Sequence, residues 1–192
     1  GFPNRTLKNP KQATQELVAL SKKRPDVFKF ALDRSQNFKN MDLATLKAAL
    51  TQAKELNIPS IVHIATWTDA EEAVSAGAEV ITHLDANPIP EKLLSLLKKK
   101  KVTEIPTMTY QVDFVNLLEN RSILESNLLK KVIGDILFAS YKNMEPSQEQ
   151  VAKMAGTQAQ KREGYFQNLK KLREARTRED NEIRGQNVDI TV

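Results

Sequence analysis

The feature that most constrains this chain is the regular alternation, over its first two thirds, of short apolar runs with amphipathic helical stretches. Apolar runs begin near residues 26, 59, 79 and 102, separated by 33, 20 and 23 residues. Between them lie segments with helical periodicity. The first, from about Lys11 to Lys23, follows Asn9 and Pro10 and carries Ala13, Leu17, Val18 and Leu20 on one stripe. Asp42 is placed to cap a second, whose stripe is Leu43, Leu46, Leu50 and Ala53. Thr68 or Asp69 caps a short third, Ala70 to Ala76, ended by Gly77. Pro90 opens a fourth that runs through Lys100. Strands that alternate with helices imply βαβ units and a parallel sheet. An eight-unit barrel allots roughly 31 residues to each unit, so the spacings are compatible with barrel repeats. A doubly wound sheet is compatible with them too.

The pattern changes after Tyr110. Residues 112–142 and 147–180 read as long helices, with Pro146 and Ser147 marking the break. The first is rich in apolar residues from Val115 to Leu137, interrupted by Gly134. The second is much more polar and reads as solvent-facing. The closing Asn187-Val188-Asp189-Ile190-Thr191-Val192 alternates like a strand. The expected organisation is one α/β domain over residues 1–192, with βα repeats in 1–111, a helical segment in 112–182 and a last strand in 183–192.

Composition removes several function classes. With 40% hydrophobic and 28% charged residues, the chain can build a core and is not of the disordered type. No apolar stretch approaches the roughly 20 residues of a membrane helix. Gly1-Phe2-Pro3-Asn4-Arg5 has no apolar signal-like region. The absence of cysteine excludes disulfides and thiolate metal sites, and fits a reducing compartment such as the cytoplasm. The net charge of +5 suggests nucleic acid, but the basic residues argue otherwise. The one strong run, Lys98 to Lys101, falls at a helix C-terminus, where cations are favoured. Elsewhere bases alternate with acids, and aromatics at 6% are too sparse for a base-stacking platform.

The two histidines, His63 and His83, each sit in or at the end of an expected strand. A histidine there is either a satisfied core residue or a ligand. Two on successive strands, each near the carboxyl end, favour a site, because barrel active sites lie at that end and neutral imidazole is the commonest metal ligand. Lys29, inside Val27-Phe28-Lys29-Phe30-Ala31, has two readings as well. It is an edge lysine that snorkels to solvent, or an inward lysine whose lowered pKa makes a Schiff base or a carbamate accessible.

Ile61-Val62-His63-Ile64-Ala65, followed by Asp69 through Gly77 and then Glu79-Val80-Ile81-Thr82-His83-Leu84, resembles the amidohydrolase superfamily, especially its imidazolonepropionase-like and prolidase-like members. In that family one metal-ligand histidine ends the fifth barrel strand and another the sixth. Ile105-Pro106-Thr107-Met108 is similar to the seventh strand, Asp26-Val27-Phe28-Lys29-Phe30 to the fourth, whose lysine is carboxylated in two-metal members, and Val188 to Val192 to the eighth. The resemblance implies a partial (β/α)8 TIM-type barrel, about strands four to eight, with a long helical segment before the last strand. It implies a divalent cofactor, usually zinc, as one or two ions in the intact enzyme, bound by His63 and His83 and bridged by carboxylated Lys29. The reaction implied is hydrolysis of C–N bonds in cyclic amides or dipeptides ending in proline. Tyr110, just past the seventh strand, is the candidate substrate contact.

The family's first-strand His-x-His pair and the aspartate after the eighth strand have no counterpart in these 192 residues. The chain is therefore expected to be a fragment, inactive alone, that acts on a small molecule in the intact enzyme, with no nucleic-acid or membrane partner. An incomplete barrel exposes edges and an apolar interior. Homo-oligomerisation, cover by the long helices or rearranged strands are the expected repairs. The competing readings are a non-catalytic module whose long helices pair with a partner chain and whose histidines are structural, and a basic nucleic-acid binder.

Overall fold

The computed structural model describes residues 6–34, 40–108, 121–144 and 147–184. Tyr110 and the expected last strand lie outside the described residues. The chain divides into two compact units, Gly1–Pro106 with Tyr165–Val192, and Thr107–Gly164.

The first unit is built of βα repeats: α1 (Pro10–Ser21), β1 (Phe28–Ala31), α2 (Leu43–Glu55), β2 (Ser60–His63), α3 (Trp67–Ala76), β3 (Val80–Thr82), α4 (Glu91–Lys99) and β4 (Thr103–Ile105). The four strands form one sheet in the order β1-β2-β3-β4, every neighbouring pair parallel. Sequential parallel neighbours joined by helices are the sheet the spacing predicts. They match part of a TIM-like fold.

Local chemistry sets the helix ends. The Asn9 side chain accepts from the Gln12 N–H at 2.9 Å, and Pro10 opens α1 where its missing N–H costs nothing. Asp42 caps α2 by accepting from Thr45 N–H at 2.7 Å. The cap of α3 is Thr66, two residues earlier than expected, in a reciprocal capping box with Asp69. The reading of Thr68 or Asp69 as cap failed because Asp69 fills the third helical position of that box. Gly77 ends α3 in a left-handed conformation, φ 107°. Lys98 and Lys99 lie in the last turn of α4, as the lysine run implies.

Alternation divides the sheet into two faces. Phe28, Phe30, Val62 and Ile81 are buried, together with Leu32 and Ile64 just beyond the strands. They share a core with Leu17, Leu46, Leu50, Val74, Leu93 and Leu97 of the helices. Burying each large apolar side chain stabilises by about 1.5–3 kcal/mol. On the other face Lys29 and Thr103 are exposed, as is Ile105 at 40%. Val27, 40% exposed, stands before β1 rather than within it, so it builds no apolar wall around Lys29.

The polar final helix, α6 (Gln148–Arg184), is not wholly solvent-facing. Its Tyr165, Asn168 and Leu172 are buried. Asn168 Oδ1 accepts from Ile89 N–H at 2.9 Å, and its Nδ2 donates to the carbonyls of Asp85 and Asn87 at 2.9 and 2.7 Å. Arg176 pairs with Glu104 of β4.

In the second unit a 3-10 turn (Arg121–Glu125) precedes α5 (Asn127–Lys142). The single helix expected over 112–142 thus begins at Asn127 within the described residues. It is broken at Gly134, whose φ of 76° and ψ of 164° are not helical. Arg121 donates to the carbonyls of Tyr141, Lys142 and Met144. That charge-assisted set satisfies carbonyls at the end of α5.

Candidate active site

β2 ends at His63 and β3 ends one residue before His83, so both imidazoles stand at the carboxyl end of the parallel sheet. Register determines how they meet. Ala31 pairs with His63, and His63 with Thr82. Residues in register share a face, so strict alternation would send His83 to the opposite face with Ile81. The backbone at His83 prevents this. Its φ is 76°, in the left-handed region, while its N–H still donates to Ile105 O at 2.9 Å. The ring then lies against that of His63, centroids 4.5 Å apart and planes at 74°. Leu84 returns to the core. Histidine is among the non-glycine residues that tolerate this conformation best, but no periodicity argument reveals the break. Backbone strain of this kind clusters at functional sites.

The electrostatics favour neutral rings. Burial holds the His63 imidazole below its ordinary value, helped by the positive charge of Lys29 and opposed by Asp33 and Asp69. His83 is lowered to about 4, by burial first and then by His63 and Lys29. Both rings are therefore neutral at pH 7, the form that ligates metals. Lys29 stands in register with Ile61, two residues before His63 on the adjacent strand and on the same face, and its charge reaches both histidines. It is exposed and not an inward, buried lysine.

Among the described residues no group of three or more His, Asp or Glu side chains is arranged to hold a metal ion. The donor chemistry fits part of a divalent ion's ligand set: two neutral imidazoles in contact, and an amine on the same face.

Three structures share this arrangement of elements. A prolidase complexed with N-methylphosphonate-L-proline superposes with a TM-score of 0.57 at 16% identity, over 89% of this chain and 36% of its own. The ochratoxinase of A. niger gives 0.55 at 15%, over 88% and 33%. A Xaa-Pro dipeptidase with bound methionine in the active site gives 0.50 at 13%, over 88% and 43%. The chain has the fold of a part of these proteins. It spans between 33% and 43% of their lengths. No family model and no curated protein sequence matches it.

The sequence reading did not single out the polar belt around the site. Asp69, with no exposed surface, bonds to Arg34, Ala65 and Thr66. Trp67 donates from its backbone to Asp85 Oδ2 and from Nε1 to Asn87 O. A sequence signal exists only for the capping box, Thr66 with Asp69; the partners Arg34, Asp85 and Asn87 are distant in sequence.

Proposed function

We propose that this chain is the C-terminal part of the barrel of a metal-dependent amidohydrolase, and that His63 and His83 are its share of the metal site. The observation that carries the reading is the contact of the two rings, neutral and 4.5 Å apart, at the carboxyl end of a parallel sheet. That is where barrel enzymes keep their chemistry. The likeness of fold to a prolidase and a Xaa-Pro dipeptidase supports dipeptides ending in proline as a substrate class; cyclic amides rest on the sequence resemblance alone.

His63 and His83 would hold a divalent ion, zinc being the expected one. When bound, such an ion supplies Lewis acidity toward a carbonyl and toward water. The chain's own residues prepare that place. Burial keeps both imidazoles unprotonated, and the left-handed backbone of His83 presents its ring beside His63. Lys29 would become an oxygen ligand only as its carbamate, formed by addition of carbon dioxide to the amine with loss of a proton. Until then its charge disfavours protonation of both rings. Tyr110 is the proposed substrate contact.

Two imidazoles and an uncarboxylated lysine fall short of the three protein ligands a catalytic zinc commonly takes. The 192 residues alone should therefore be inactive. The test is a zinc-supplemented assay on Xaa-proline dipeptides and cyclic amides. The longer protein bearing this segment should turn over, and His63→Ala or His83→Ala should lower kcat/KM by orders of magnitude. The segment alone should match its own His63→Ala, His83→Ala control. Turnover by the segment above that control, or full activity of the longer protein after either substitution, contradicts the reading.

A further inference from the structure

We infer that Asp69 is the positioning residue of this site, one buried carboxylate that fixes the exits of β1 and β2 against each other and so sets the His63 ring. The inference rests on the reading of His63 and His83 as the functional pair. Asp69 has no exposed surface. Its Oδ2 accepts from the N–H groups of Ala65 (3.3 Å), Thr66 (2.9 Å) and Arg34 (3.4 Å) and from Thr66 Oγ1 (2.9 Å). Its Oδ1 accepts from Arg34 Nη1 at 2.6 Å. Arg34 also bridges to Glu72 at 2.5 Å.

A helix cap does not need this much. The capping box requires one bond to Thr66 N–H, which a neutral side chain could accept. Burying a carboxylate is costly unless it is paired and fully hydrogen-bonded. Burial raises the Asp69 carboxyl, yet the bonds from Arg34 and Thr66 hold it below its ordinary value. The bonds beyond the cap have a pattern. Ala65 lies two residues past His63, and Arg34 three residues past the end of β1, the strand of Lys29. The neighbouring Trp67 reaches the other way, to Asp85 and Asn87 just past His83. The short peptide from Ala65 to Asp69 thus ties together the exits of β1, β2 and β3, and of the candidate residues it is His63 and His83 that stand at those exits. The sheet ladder runs on only to Leu32, Ile64 and His83, whose N–H groups donate to the carbonyls of His63, Thr82 and Ile105, and beyond it the loops depend on these side-chain bonds.

The presence of only two histidines makes the test direct. In the metal-free chain, the NOE between the two imidazole rings reports their contact, and the sheet amide shifts report the fold. Asp69→Asn and Arg34→Ala are compared with Asp42→Asn, which perturbs the cap of α2 away from the site. Expected is a weakened ring–ring NOE in both site variants with sheet amides unmoved, and an intact NOE in Asp42→Asn. Should Asp69→Asn not fold, Arg34→Ala decides, since it leaves the α3 cap in place. An undiminished NOE in every folded site variant overturns the inference, as does its absence from the unsubstituted chain. Zinc titration of the same samples separates this from the metal reading. Positioning through the backbone at Ala65 and Thr66 predicts weaker zinc uptake in both site variants than in Asp42→Asn. An unsubstituted chain that shows the ring contact and its dependence on Asp69, yet takes up no zinc, sustains the positioning role and removes the metal.

Discussion

At the residue scale, the histidine pair makes stability depend on pH in a defined direction. The folded His83 imidazole titrates at about 4, against an ordinary 6.5, and His63 is lowered as well. Well above 6.5 the rings are neutral folded or unfolded. Below it the unfolded chain takes up protons that the folded chain refuses, so stability falls as pH drops from 6.5 toward 4. The slope is at most about 1.4 kcal/mol per pH unit for each histidine. Urea unfolding of the metal-free chain across this window should show the decline, and His83→Gln should flatten it. Equal slopes in the two chains would contradict the assigned environment. The placing of His63 and His83 at successive strand ends was legible in the sequence because the apolar runs that carry them mark the strands. What brings the rings together was not. The φ of His83 is a one-residue event with no periodic trace, and Asp69 depends on Arg34, 35 positions away.

At the element scale, helices and strands followed from periodicity and end signals, so Asp42, Gly77 and Pro90 fell at the boundaries expected of them. Strands came out shorter than the apolar runs, because the runs continue into buried residues such as Leu32 and Ile64 beyond the pairing. The final helix read as exposed because its mean polarity hides three buried residues spaced 165, 168 and 172 on one stripe. Two glycines test the end-signal logic in opposite directions. A Cβ at Gly77 meets nothing within 4 Å, but φ there is 107°. Gly77→Ala should therefore lower stability by about 1–2 kcal/mol through backbone strain alone. Gly156, inside α6 and equally unhindered, has ordinary helical backbone. Gly156→Ala should raise stability by about 0.5–1 kcal/mol. Denaturant unfolding of both variants checks the pair; equal effects would mean that backbone conformation is not what distinguishes them.

At the scale of the whole molecule, the βα unit is a sheet with helices on one face and Lys29, Thr103 and Ile105 exposed on the other. Parallel sheets are ordinarily covered on both faces. The similar structures are more than twice as long as this chain, which covers 33% to 43% of them. Further βα chain of the proposed barrel or a second copy of this chain are the two covers proposed for the exposed face of the sheet. No helix among the described residues is long and apolar enough to cross a membrane. The α/β order was legible because every repeat carries its own signals; what covers the second face of the sheet was not, since no local pattern encodes it. One metal ion held by both His63 and His83 is the proposed centre of this site. Its most direct test is anomalous diffraction at the zinc edge from crystals of the longer protein grown with zinc. A peak in contact with both imidazoles at the carboxyl end of β2 and β3 is expected. Zinc bound elsewhere, with neither ring touching it, would contradict it.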